Sequence, residues 1–209
     1  MTSSDAAPEL HGSVALVTGG SRGIGLAAAR DLGRQGSAVV LVGRDPARVA
    51  AAAAALRDEE IDAVGEPCDV ADPADVERLV GRLGALANVD TLVLSAGVMS
   101  ARTAKTLRTT PEEWRRVMGT NLDGTFHAIH AFVPGMVERR AGRVIAVSAC
   151  LGRFSGPGTA GGLAPYRVSK AGVNALVKNL AAELQFGRRG VLVDAMCPNH
   201  CRTDMGGPD

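Results

Sequence analysis

Tyr166 and Lys170 stand four positions apart in the stretch Tyr-Arg-Val-Ser-Lys. On a helix that spacing puts both side chains on one face. A phenol ionises near pH ~10, and a neighbouring ammonium favours the ionised form. Such a pair can donate and take back a proton near neutral pH. Alone, the pattern also describes a solvated lysine beside a half-buried tyrosine. A glycine-rich turn near the other end of the chain, Thr18-Gly-Gly-Ser-Arg-Gly-Ile-Gly25, narrows the reading. Between a strand and a helix, such a turn cradles phosphate with backbone N–H groups and the helix N-terminus. The spacing Gly19, Gly23, Gly25 differs from the general G-x-G-x-x-G fingerprint. Its place after the first strand of a repeated strand–helix chain favours a bound dinucleotide.

The elements that must position these residues alternate along the chain. Val14 to Thr18 is a short apolar run predicted as a strand, and Ile24 to Gln35 as a helix stopped by Gly36. Ala38 to Gly43 is apolar throughout, as suits a strand covered on both faces. Asp45-Pro46 caps a helix running through the alanine tract to about Glu60. Ala63 to Cys68 is a weaker third strand, Asp72-Pro73 opens the next helix, and Val89 to Ser95 is a fourth strand. Thr110-Pro-Glu-Glu113 is a capping box that starts one long helix toward Val137. Arg143 to Ser148 is a fifth strand, followed by a glycine-rich loop from Gly152 to Gly162. Pro165 to Phe186 is the helix of Tyr166 and Lys170, and Val191 to Cys197 a sixth strand. Repeated units of this kind predict an α/β fold: a doubly wound parallel sheet of the Rossmann type, in three αβα layers. Residues 12–209 read as one domain that includes the catalytic centre, behind a flexible polar tail over residues 1–11.

Bulk properties exclude several classes. The 209 residues suit one domain with a large core. A formal net charge of +1 and 3% aromatic residues disfavour nucleic acid and membrane surfaces as partners. The first residues lack an apolar leader and no apolar stretch is long enough to span a bilayer, so a cytoplasmic protein is the default. Four scattered cysteines, Cys68, Cys150, Cys197 and Cys201, read as reduced thiols. Cys197-Pro-Asn-His200-Cys201 lacks a second ligand pair at a recognisable spacing, so no metal is expected.

The glycine spacing together with Tyr-x-x-x-Lys resembles the short-chain dehydrogenase/reductase family, whose patterns are T-G-x-x-x-G-x-G and Y-x-x-x-K. The resemblance covers nearly the whole chain. Asp69-Val70 is similar to the family's adenine-contacting pair. Ser95-Ala96-Gly97 is similar to its N-A-G turn, with serine in place of asparagine. Asn121 in Thr-Asn-Leu-Asp-Gly matches the helix asparagine, and Pro198 with Thr203 fits the P-G-x-x-x-T segment. The stretch from Arg202 to Pro208 is similar to carbonyl-reductase-like members. The resemblance implies Tyr166 as general acid, Lys170 as the group that lowers its pKa and holds the nicotinamide ribose, and Asn121 as holder of a water beside the lysine. It implies Gly19, Ser21, Arg22, Gly23, Ile24 and Gly25 as contacts of the cofactor. It also implies a homodimer or homotetramer, with the Thr110–Val137 and Pro165–Phe186 helices as interfaces. Leu163, Phe154 and the glycine-rich loop would line the substrate side.

Charge bears on which cofactor. An NAD site has an acidic residue at the end of the second strand to bond the ribose hydroxyls. This chain has Gly43 and then Arg44 there, with Arg22 in the glycine turn. Two guanidinium groups at that point suit a 2′-phosphate, so NADP(H) is favoured over NAD(H). Asp45 reads as a helix cap.

Three departures from the family pattern bear on activity. Aligned on Gly152, the family's catalytic serine falls on Ala149, and Ser148 is its neighbour, pointing to the opposite face of the strand. Asn199 replaces a glycine after Pro198. The sequence stops at Asp209, where the family continues through a substrate-covering segment and a seventh strand, so the sixth strand is expected at an open edge. Three functions stay open, in this order: an NADPH-dependent reductase of a small ketone or aldehyde, impaired by the serine loss; a weakly catalytic NADP(H)-binding protein; and the same fold used for non-redox cyclase or dehydratase chemistry.

Overall fold

The structure is a computed structural model that describes residues 10–100, 105–153, 162–199 and 201. Six parallel strands lie in the order β3-β2-β1-β4-β5-β6. They are β1 (Val14–Thr18), β2 (Ala38–Gly43), β3 (Ala63–Pro67), β4 (Thr91–Leu94), β5 (Gly142–Val147) and β6 (Val191–Met196). The helices are α1 (Gly23–Arg34), α2 (Pro46–Asp58), α3 (Pro73–Leu83), α4 (Pro111–Met118), α5 (Gly124–Arg139) and α6 (Ala164–Glu183). The predicted Rossmann-type sheet is the observed one. Among the described residues β6 is an edge strand, with Leu192 and Met196 exposed on it.

Alternation along the strands divides the core in two. Leu16, Val40, Val42, Leu92 and Leu94 pack in one cluster with α3, α5 and α6. Val17, Val39, Leu41 and Val93, one position away in register, pack in the other with α1 and α2. Both faces of the central strands are therefore dry, which is why their sequences are apolar throughout. The chain winds outward from β1 to β3 with its helices on one face. It then returns to β4 and continues to β6 with its helices on the other, as right-handed crossovers require. The reversal lies between β1 and β4. Thr18 Oγ1 ties the two strand ends there, accepting from the N–H groups of Ser95 and Ala96 at 3.1 and 3.2 Å.

Local signals set most of the helix starts. Asp45 accepts from the N–H groups of Ala47 and Arg48, and Asp72 from that of Ala74, each with proline in the first turn. Thr110 Oγ1 accepts from the Glu113 N–H at 3.2 Å, while the Glu113 carboxylate pairs with Arg116. One expectation fails. The long helix from Thr110 to Val137 is two helices, α4 and α5, joined by a π turn over Gly119–Asp123. That turn inserts one extra residue per turn locally and re-aims the side chains it carries, Asn121 among them. The last helix also ends early, because Gln185 and Phe186 have φ of 53° and 50°. Of the expected N-terminal tail only Leu10 and His11 are among the described residues, and the Leu10 N–H donates to the Gln35 carbonyl at 3.0 Å.

Asp45 is exposed and, among the described residues, its carboxylate bonds only the helix it caps. Asp45→Ala is expected to cost about 1 kcal/mol of stability in urea denaturation, with dinucleotide affinity unchanged in titration. A loss of affinity would make Asp45 a ribose ligand.

Candidate active site

The glycine turn has the shape of an anion cradle. Gly19 and Gly23 have φ of 66° and 55°. A Cβ on Gly19 would lie 2.8 Å from the Ala96 Cα, and one on Gly25 would lie against the Gly19 carbonyl. No side chain caps α1 at Arg22, and its first turn holds no acidic residue. Helix N-termini of this kind bind phosphate through N–H groups and the helix dipole. The residues present thus fit a pyrophosphate. Ser21 faces the end of β2: a Cβ on Gly43 would lie 3.4 Å from Ser21 Oγ. Arg22 and Arg44, the residues that follow, are both exposed beside that point, and Ile24 is half-buried in the first turn of α1.

Asp69 and Val70 follow β3. The Asp69 carboxylate accepts from the Ala71 N–H at 3.1 Å, and its own N–H donates to Asp75 at 2.7 Å. Val70 is buried, and His127 Nδ1 donates to its carbonyl at 2.9 Å. These bonds set the loop beside the cradle. Ser95, Ala96 and Gly97 follow β4, next to the same cradle.

The catalytic candidates converge on that last turn. A Cβ on Gly97 would lie 3.5 Å from Asn121 Oδ1 and 3.8 Å from Lys170 Nζ. Asn121 is fully buried. Its Oδ1 accepts from the Val98 N–H at 2.7 Å, and its Nδ2 donates to the Val98 carbonyl and to Ser169 Oγ, both at 3.0 Å. Both amide hydrogens are therefore spent on protein groups. Any water beside Lys170 would have to donate to Oδ1 or to the backbone.

Tyr166 and Lys170 share the buried stripe of α6 with Ser169, Val173 and Val177, as the four-residue spacing predicts. Lys170 Nζ lies 5.9 Å from the centre of the Tyr166 ring and donates to the Val147 carbonyl at 2.6 Å. Burial pushes the lysine down from its ordinary 10.5 to about 8. It also dominates at Tyr166, raising the phenol above its ordinary value, with Cys150 and Cys197 acting the same way. The expectation that the lysine charge would lower the phenol is not met in the protein alone: burial sets the direction, and it is upward. A phenol so held stays protonated, the state an acid catalyst needs.

Ser148 turns toward the flank of α6, with its Oγ 3.4 Å from the Lys170 carbonyl. Its hydroxyl donates to Asn174 Oδ1 at 2.6 Å. Asn174 is eight residues beyond Tyr166, about 12 Å along the helix. Ala149 follows with extended backbone (φ −150°, ψ 152°), so its methyl group takes the opposite side from Ser148. Asn199 has φ of 63°, in the left-handed region where asparagine is the side chain tolerated next after glycine. Replacing glycine there keeps the backbone path after Pro198. Thr203, Phe154 and His200 lie outside the described residues. Cys201 Sγ lies 3.3 Å from the Pro198 carbonyl as its donor. Sequence reasoning missed Ser169, whose Oγ donates to the Tyr166 carbonyl at 2.8 Å. Its position three residues after the tyrosine was the available signal. It also missed Ser100, for which no local signal existed.

The buried lysine makes stability depend on pH. Between pH about 8 and 9 the unfolded chain keeps the lysine proton while the folded one loses it, so stability rises with pH. Above about 9 the opposite trend sets in at Cys68, whose thiol burial pushes up to about 12. The urea midpoint is expected to rise from pH 8 to 9 in the wild type and not to rise in Lys170→Met, where only the opposing Cys68 trend is left. Parallel curves would mean that Lys170 is not desolvated.

Comparison with known proteins agrees with this geometry. The family model described as short chain dehydrogenase matches residues 13–209. The chain is 34% identical over 197 residues to the 3-oxoacyl-acyl-carrier-protein reductase of Escherichia coli, covering 93% of this chain and 76% of that one. It superimposes with a TM-score of 0.85 and 34% identity on a variant of actinorhodin polyketide ketoreductase solved with NADPH, over 93% of this chain and 72% of the other. A metagenomic short-chain oxidoreductase in complex with NADP gives a TM-score of 0.82 at 34% identity, over 92% and 85%. Among the described residues no helix is long and apolar enough to cross a membrane. With its motifs gathered at the C-terminal ends of the strands and the family model spanning nearly all of its length, the chain belongs to the short-chain dehydrogenase family of oxidoreductases.

Proposed function

We propose that the chain is an NADPH-dependent reductase that converts a ketone or aldehyde to an alcohol. The observation that carries this reading is the convergence of Tyr166, Lys170 and Asn121 on the Gly97 turn, next to a cradle fit for a pyrophosphate. When bound, NADPH supplies the hydride. The Gly19–Gly25 turn holds the pyrophosphate, with Ser21, Gly23 and Ile24 in its wall. Arg22 and Arg44 hold the 2′-phosphate, and Asp69 and Val70 border the adenine. Ser95, Ala96 and Gly97 line the cleft, and Pro198 borders it after β6. Tyr166 gives its proton to the carbonyl oxygen. Lys170, with N–H donors beyond the one on Val147, holds the nicotinamide ribose. The relatives that reduce oxoacyl and polyketide substrates favour a ketone on an acyl chain as the first substrate class to try.

A second reading keeps its place because of Ala149. With a methyl group where the family has a donor, and Ser148 bonded to Asn174, the substrate oxygen is served by Tyr166 alone. A protein that binds NADP(H) and turns over slowly, or one that uses Tyr166 as an acid for cyclisation or dehydration, would have this arrangement. The homodimer or homotetramer that such proteins form would cover Phe126 of α5 and Val168 of α6, both exposed.

NADPH consumption across a panel of ketones tests the reading. Tyr166→Phe is expected to lower the rate by about 10²-fold or more, and Ala149→Ser to raise it by about 10²–10³-fold. Equal rates for wild type and Tyr166→Phe would remove the phenol from the mechanism. No gain in Ala149→Ser would favour the non-redox reading. Separately, Arg22→Ala and Arg44→Ala should each weaken NADPH about tenfold, roughly 1.4 kcal/mol, while leaving NADH unchanged. Equal losses for both dinucleotides would sink the 2′-phosphate assignment.

A further inference from the structure

The helix that carries Tyr166 does not cap itself. The residue before its first turn, Leu163, has φ 57° and ψ 30° and makes no side-chain cap bond. The first N–H groups of a helix have no partner inside it. Here Ala164 and Pro165 precede the tyrosine, and proline has no N–H to satisfy. The N–H of Tyr166 is buried, and it donates to Ser100 Oγ at 3.0 Å. Ser100 is 2% exposed and comes from the loop after β4, sixty-six residues away in sequence. The carbonyl of Tyr166 is held as well, by Ser169 Oγ, which Asn121 Nδ2 grips in turn.

That loop is itself fixed. Its Val98 is bonded through both N–H and C=O by the Asn121 amide, two residues before Ser100 and one after Gly97. A shift of the Ser95–Gly97 turn therefore moves Ser100, and Ser100 is bonded to the backbone of the tyrosine.

We propose that Ser100 is a positioning residue for Tyr166: it caps the catalytic helix from another loop and fixes the phenol relative to the turn that lines the dinucleotide cleft. The role of the phenol as acid rests on the function proposed above; the placement does not, and it can be read without substrate. Tyr166 is the chain's single tyrosine, so ultraviolet difference absorbance during alkaline titration reports its ionisation alone. In Ser100→Ala the start of the helix loosens, the phenol gains water, and its titration midpoint falls by about half a unit or more. Ser100→Thr keeps the hydroxyl and should titrate like the wild type. Asp45→Ala, which removes a cap on a distant helix, controls for general destabilisation and should also titrate like the wild type. A Ser100→Ala curve that superimposes on the wild type would overturn the proposal, as would an equal shift in Asp45→Ala. Hydrogen exchange gives a test that needs no variant. The Tyr166 amide in the wild-type protein should be protected, and exchange at the rate of an open amide would also overturn it. In the reductase assay Ser100→Ala should lower kcat about tenfold or more with the KM for NADPH unchanged. If no ketone is reduced by any form, the titration still decides the placement.

Discussion

The side-chain amide of Asn121 is the contact on which the site depends. It is buried, and it bonds three groups from two other segments: both polar atoms of the Val98 backbone and the hydroxyl of Ser169. Removing it would strip the part-buried N–H and C=O of Val98 of this partner, at a cost of up to about 1–3 kcal/mol each. A helix of regular pitch over the predicted Thr110–Val137 span would not present the side chain in this way. The π turn does, and the hydroxyl of Thr125 donates to the Asn121 carbonyl at 2.8 Å within it. The loop after β4, the interrupted helix and α6 are thus one hydrogen-bonded unit at the C-terminal end of the sheet.

The electrostatics follow from how dry that unit is. Lys170 and Tyr166 are both largely withdrawn from water, so burial weighs against the charged form of each. This puts their pKa values in opposite directions: the lysine down, the phenol up. An acid that keeps its proton and a base that gives its proton up easily then stand side by side. Binding a charged partner would shift both, because little water is present to screen it.

Much of this was legible in the sequence, for physical reasons that differ by element. The strands were readable because burial on both faces leaves no polar position, as in Ala38 to Val42. Asp45, Asp72 and Thr110 were readable because a cap is a local bond between near neighbours. The glycine turn and the Tyr–Lys pair were readable because their spacing is a direct consequence of helix pitch and close backbone approach. The π turn was not, because Gly119–Asp123 has no residue that forces it, and tertiary bonds to Asn121 select it. Nor was Ser100, whose partner is remote in sequence. The balance of burial against charge at Tyr166 was misjudged from sequence, since spacing shows that two groups are close and not how much water is between them. Alternation after β5 sets Ser148 and Ala149 on opposite sides, and the structure adds where Ser148 is engaged.

The left-handed backbone at Leu163 has a further consequence. Because the start of α6 is tied by Ser100 from across the fold, the phenol is not positioned by the residues leading into the helix alone. They can change in length or composition without displacing the phenol. Selection for a new substrate can therefore act on the approach to the site while the proton donor stays where it is. The chemistry and the choice of molecule are entrusted to separate stretches of chain.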